Sequence, residues 1–165
     1  LQNFPNKPTA HWNVGFRNSM EEVVVIDGVF MALRKNERIK FNEELKGFHN
    51  YDLNLALECR RLNYKIVVTN EILLEHFSLG TINKDWVVST YNFYKQYKKL
   101  LPVSINPALS LKKQEVVNVK KFINELLRFK MHKIALAMWI PLVFRNPISK
   151  FHFKFWKRII KSTLC

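Results

Sequence analysis

Glycine, aspartate and cysteine are all scarce in this chain, and each scarcity removes a class of function. Four glycines are spread over 165 residues, so no GxGxxG turn and no phosphate loop can be written. Both need clustered glycines to bring backbone against phosphate. Aspartate occurs only at positions 27, 52 and 85, so there is no DxD pair. Neither G-x-S-x-G nor H-E-x-x-H occurs. Cys59 and Cys165 make no disulfide framework and no CxxC, which excludes a cysteine-type zinc site and fits a reducing compartment. Cys59 sits in an apolar helical pattern and reads as a small core residue. No apolar run reaches the ~18–20 residues that a spanning helix needs. The longest candidate, Ile134 to Phe144, is interrupted by Pro141. The chain opens on Leu without a signal-peptide pattern, and we expect it to be a segment of a longer protein.

What is present is enough for a folded core. Hydrophobic residues make up 48% and aromatics 13% of the chain, well above what disorder tolerates. The net charge of +14 is unevenly placed. Residues 1–100 carry 14 Lys+Arg against 11 Asp+Glu, whereas residues 101–165 carry 13 against 2. The basic character therefore belongs to the second segment, and such a segment seeks a polyanion.

Residues 1–20 show no period and read as an irregular lead-in. The β-branched run Val23 to Ile26 has the mark of a buried strand. Asp27-Gly28 interrupts it, and a second apolar run follows from Val29 to Leu33. Phe41 to Leu45 reads as a helical turn capped by Asn42 and closed by Gly47. Asp52 to Leu62 reads as a buried helix stopped by Asn63. Tyr64 to Val68 is a strand, Ile72 to Leu74 a third strand candidate, and Trp86 to Leu100 a helix. Pro102 and Pro107 bracket a linker. Beyond it the pattern is helical: Lys112 to Lys130, His132 to Val143 with a bend at Pro141, and Pro147 to Thr163. In the last helix Lys150, Lys154, Lys157 and Lys161 share a narrow face, opposite Ile148, Phe151, Phe155, Trp156 and Ile159.

The candidate chemistry clusters in three segments: Val25 to Ala32, Phe48 to Leu53, and Leu74 to Ser78. The stretches IDGVFMALRK and FNEELKGFHNYDLNLALECRRLNYKIVVTNEILLEHFSLG resemble, in order and spacing, the second half of inverting family-two glycosyltransferases with the GT-A fold. The likeness is nearest to the bacterial group that builds surface polysaccharides, and it covers roughly residues 22–95. It implies an α/β fold, here a partial GT-A domain over residues 1–100 that lacks its N-terminal nucleotide-binding half. Residues 101–165 then form a basic α-helical extension.

The resemblance also implies roles. Asp52 holds the place of the general base, which takes the acceptor hydroxyl's proton. Read from the residue alone, Asp52 is equally a helix N-cap bonded to the N–H of Leu55 or a neighbour. His76 matches a late histidine that binds a divalent metal, Mn or Mg, in the full-length enzyme. Otherwise it is a strand-end histidine bonded to backbone. Asp27 and Gly28 match the turn at the acceptor pocket, with a ligand-free bulge as the alternative. His49 and Tyr51 line that pocket. Trp86 either stacks on a sugar or packs in the core. Glu44 is solvated and Glu43 structural, since neighbouring positions on a helix point apart.

The expected function is sugar transfer, with inversion, from a nucleotide-diphosphate donor to a polysaccharide or lipid-linked acceptor. The segment by itself is expected to be inactive. The alternative is a non-catalytic anchoring module. Three fates are open to the basic segment: an anionic membrane surface, met by Lys150, Lys154, Trp156, Lys157 and Lys161; packing on the preceding domain; and, last, nucleic acid, since no base-reading module is present. The chain is expected to be cytoplasmic and, with the membrane fate, peripheral at the inner face of the cell membrane.

Overall fold

The computed structural model describes residues 2–4, 7–9, 18–45, 49–72, 74, 82–108 and 110–164, with backbone alone for 2–4, 7–9 and 162–164. The chain divides into two compact units, Leu1–Lys99 and Leu100–Cys165.

In the first unit, β1 (Gln2–Phe4) pairs antiparallel with β2 (Lys7–Thr9), setting Asn3 opposite Pro8. This hairpin lies in the lead-in expected to be irregular. Three-residue strands carry too short a pattern to be read from sequence. A second antiparallel pair joins β3 (Met20–Val23) to β4 (Ile66–Thr69), with Val23 opposite Ile66 and Met20 opposite Thr69. The ladder thus starts earlier than the β-branched run suggested, and only Val23 of that run belongs to it. Its position follows from its partners. The Ser19 carbonyl accepts from Asn70 N and from Thr69 Oγ1 at 3.1 and 3.0 Å. Glu22 lies 3.5 Å from Arg60 and 3.6 Å from Lys65.

The apolar run Val29 to Leu33 forms no strand; Val29, Phe30 and Leu33 are exposed. Nor is there a third strand at Ile72 and Leu74, which are both exposed outside regular structure. Phe41 to Leu45 is a turn rather than a helix. Within it the Asn42 side chain accepts from Glu44 N at 2.9 Å. Gly47 lies outside the described residues. Glu43 is exposed like Glu44, so neither is a structural acid.

Helix α1 (Tyr51–Arg61) buries Asn54, Leu55, Ala56, Leu57 and Cys59. Ala56 and Cys59 meet Ile66 of β4 in a small core, with Val23, Ile26 and Ile39 packed around it. The helix stops at Asn63, whose φ of 63° is left-handed. Asn63 N bonds the Arg60 carbonyl and Tyr64 N the Cys59 carbonyl, both at 2.9 Å. These paired bonds are the Schellman ending, which Asn tolerates better than most side chains. Helix α2 (Lys84–Tyr97) buries Val87, Ser89, Phe93 and Tyr97. Asn83 caps it by accepting from Trp86 N at 2.7 Å.

A polar thread ties α1 to α2. Asn54, 1% exposed, donates to the Tyr97 hydroxyl and accepts from Asn42 N at 2.9 Å. Tyr97 in turn donates to Glu58 at 3.0 Å, and Glu58 pairs with Arg61 at 2.8 Å. Burial first, and then Glu58, raise the Tyr97 phenol above its ordinary value of 10.0, against lowering hydrogen bonds from Asn42 and Asn54.

The second unit is helical: α3 (Leu111–Arg128), α4 (His132–Arg145) and α5 (Lys150–Leu164). Its core joins Ile123, Leu126 and Leu127 of α3, Ala135, Met138 and Leu142 of α4, and Phe155 of α5. Left-handed Lys130 turns α3 into α4, again by a Schellman pair. The Trp139 and Phe155 rings stack at 4.9 Å, 5° from parallel. Helix α4 continues through Pro141 to Arg145. Among the described residues, no helix is long and apolar enough to cross a membrane.

Replacing Asn54 by Leu strips the acceptor from Asn42 N and a donor from Tyr97. We expect a loss of about 1–3 kcal/mol in urea denaturation. Because the folded state raises the Tyr97 pKa, its contribution is present below pH 10 and lost as pH rises through the folded value. Alkaline denaturation should therefore show a stability loss starting near pH 10 that Tyr97→Phe removes.

Candidate functional site

The start of α1 is built around an unusual residue. Asn50, the residue before the helix, is left-handed at φ 66° and 8% exposed. Its side chain makes no cap bond. Instead Nδ2 reaches α2, donating to Ser89 Oγ at 3.1 Å and Thr90 Oγ1 at 3.3 Å. Ser89 Oγ donates to the carbonyl of His49 at 3.0 Å. The chain is thus fastened to α2 just before it turns into α1.

The expected cap position of Asp52 is corrected by this arrangement. Asp52 is the second residue of the helix and does not bond the Leu55 amide expected of a cap. Its Oδ1 accepts from the adjacent Leu53 N at 2.8 Å, and its Oδ2 accepts from Gly28 N at 3.1 Å. The residue is half-buried rather than sealed. Two N–H donors leave further lone pairs on a carboxylate, which offers about four acceptor positions.

Tyr51 completes the link. Its hydroxyl donates to the Gly28 carbonyl at 3.2 Å, and its ring lies 6.2 Å from that of Phe41. A Cβ on Gly28 would come within 2.1 Å of the Tyr51 hydroxyl oxygen and 2.6 Å of its Cζ. Only glycine fits under this ring. The Asp27-Gly28 turn and the first turn of α1, 24 residues apart, therefore form one polar junction. Asp27 stands exposed beside it.

The remaining candidates are placed as follows. His49 is half-buried in the loop before α1, and Trp86 is half-buried on the first turn of α2. His76 lies outside the described residues. Lys150, Lys154, Trp156, Lys157 and Lys161 are exposed on α5, in the second unit. Sequence reasoning passed over Asn50, Ser89 and Thr90. The signal available was an Asn directly before a helix, which favours capping and left-handed geometry alike. It also passed over a groove of about 450 Å³ lined by Glu44, Leu45, Ser89, Asn92, Lys95 and Gln96. Ser89 is common to this groove and to the Asn50 fastening.

A family model described as "glycosyltransferase like family" matches residues 6–101, more than half of the chain. The chain belongs to that glycosyltransferase-like family. Every candidate residue of the junction falls inside the matched segment, and the lysines of α5 fall outside it. No curated protein and no solved structure gives a significant match. Among the described residues, the first unit, which holds most of the matched segment, combines helices with two small two-stranded sheets.

Glycosyltransferase-like proteins generally use nucleotide-sugar donors and often divalent metals. Among the described residues, no three His, Cys, Asp or Glu side chains converge where an ion could sit. The described residues therefore do not by themselves form such a metal site.

The tightness at Gly28 can be measured by a double-mutant cycle. Gly28→Ala should cost about 1–3 kcal/mol in the parent chain, by overpacking against Tyr51. In a Tyr51→Ala background it should cost a few tenths, the difference being the coupling. Equal costs in both backgrounds, in thermal denaturation, would show that the ring is not the obstacle.

Proposed function

We propose that this chain is the acceptor side of a GT-A-type α/β glycosyltransferase, with residues 1–100 in the catalytic domain and 101–165 as a helical extension. Asp52 is its general base. The single observation that carries this reading is the Asp52 carboxylate, half-open at the start of α1 and held by the Gly28 amide, in a chain of the glycosyltransferase-like family. Two backbone N–H bonds orient the carboxylate without using all its acceptor capacity. A lone pair remains for an acceptor hydroxyl.

The step is a single displacement. The acceptor oxygen forms a bond to the anomeric carbon of the sugar. The bond from that carbon to the diphosphate oxygen breaks, and its electron pair leaves with the nucleoside diphosphate. The hydroxyl proton passes to Asp52. Attack opposite the leaving group inverts the anomeric centre. Gly28, lacking a side chain, and exposed Asp27 border the place where the acceptor approaches. Half-buried His49 and Trp86 flank it in this reading. The acceptor is a polysaccharide or a lipid-linked sugar of the bacterial surface-polysaccharide type, and the donor a nucleotide-diphosphate sugar.

Asp52 has a rival role as a strut that only fastens the Gly28 turn. The two differ in kinetics. In the intact enzyme, Asp52→Asn keeps one acceptor oxygen and should lower kcat by about 10²–10⁴. Donor KM should stay near its parent value, and the acid limb of the pH–rate profile should vanish. If nucleoside diphosphate release falls only in step with the melting temperature, while the pH profile is retained, Asp52 is a strut.

A further inference from the structure

Helix α5 has three sectors where its sequence suggested two. At about 100° per residue, Phe151, Phe155 and Ile159 share one side. Phe155 is buried and the other two half-buried. Trp156 was expected with them, but it falls in a second sector with Phe153 and Ile160; these three are 44%, 75% and 56% exposed. The exposed Lys150, Lys154, Lys157 and Lys161 occupy the third.

Helix α4 carries a matching stripe. Leu136, Ile140 and Phe144, spaced four apart, are exposed by 38%, 47% and 83%, and Ile148 in the connection to α5 by 95%. The edge of Trp139 meets Trp156 at 5.3 Å, joining the two helices. Going round α4, the stripe follows Trp139 on the side away from the core residues Ala135, Met138 and Leu142. Going round α5, Ile160 and Phe153 follow Trp156 on the side away from Phe155. The two stripes therefore form one apolar surface across the tryptophan seam. Soluble proteins seldom leave so much contiguous apolar surface without a use for it.

We propose that this face of α4 and α5 lies on an anionic lipid bilayer. Phe144, Ile148, Phe153, Trp156 and Ile160 enter the headgroup–acyl boundary, and the lysine sector of α5 meets the phosphates. Charge complementarity selects this occupant. Residues 101–165 carry 13 Lys+Arg against 2 Asp+Glu. A second copy seated on the same face would set that excess against itself. Nucleic acid would satisfy the lysines but leave the apolar stripe in water. An anionic bilayer satisfies both at once. A groove of about 550 Å³ lined in part by Arg128, Lys130, Arg158 and Lys161 extends the positive rim. This inference is independent of the role of Asp52, and its failure would leave the transferase reading intact.

The test is co-sedimentation of the intact chain with phosphatidylcholine vesicles, with and without phosphatidylglycerol. Two variants accompany it, Phe153→Ser with Ile160→Ser, and Lys150, Lys154 and Lys157→Gln. All five positions are exposed, and circular dichroism checks that both variants keep their helices. We expect binding to anionic vesicles at least about tenfold tighter than to neutral ones, weakened about tenfold by either variant. The lysine variant alone should lose its deficit in high salt. Absence of binding to anionic vesicles overturns the proposal. So does binding that the apolar variant leaves unchanged, which marks a diffuse attraction to any polyanion. Self-association relieved by the apolar variant, without lipid binding, assigns the face to a second copy and also overturns it.

Discussion

The bond from Gly28 N to the Asp52 carboxylate is the constraint that assembles the first unit's candidate site. It joins a loop that follows β3 to a helix that precedes β4. It works with Ile26 packed on the small core before the turn, while the apolar run after the turn is exposed and unladdered. The Tyr51 hydroxyl on the Gly28 carbonyl makes the contact reciprocal: one residue of the turn gives its N–H, and the same residue receives an O–H. A side chain at position 28 would collide with the Tyr51 half of this contact.

The second unit is organised by aromatic surface instead of hydrogen bonds. Trp139 touches Phe155 face to face and Trp156 edge to face, so one indole meets both an inner and an outer ring of α5. Polar pairs only trim the margins: Lys120 with Ser149, Arg158 with Asn124, Arg145 with Glu115. Ion pairs open to solvent on one side, as Arg145 with Glu115, contribute little to stability. The register of α5 therefore follows from ring packing, and the sequence position of each lysine then fixes where its charge emerges.

How much of this was legible beforehand varied with length. The helices were, because α1 to α5 each repeat an apolar face over three or more turns, and Asn63 marked one end. Of the strands, β4 was read within two residues of its place, β3 was set too late, and the β1–β2 hairpin was passed over. A strand of three or four residues is set by its partner, and β4 lies more than forty residues from β3. The run Val29 to Leu33 misled because apolar composition does not guarantee burial where no second layer covers it. At the candidate site, Asp52, Tyr51 and Gly28 could be named from motif order. Their mutual contact could not, since it spans a loop with no period. The fastening through Asn50 was invisible for the same reason. A buried left-handed Asn is defined by its distant partners, Ser89 and Thr90.

That fastening has a corollary. Ser89 touches both the loop at His49 and Asn50 and the groove beside Asn92 and Gln96. Two residues along from Asn50 sits the carboxylate. The wall of the groove and the root of α1 thus share a single residue.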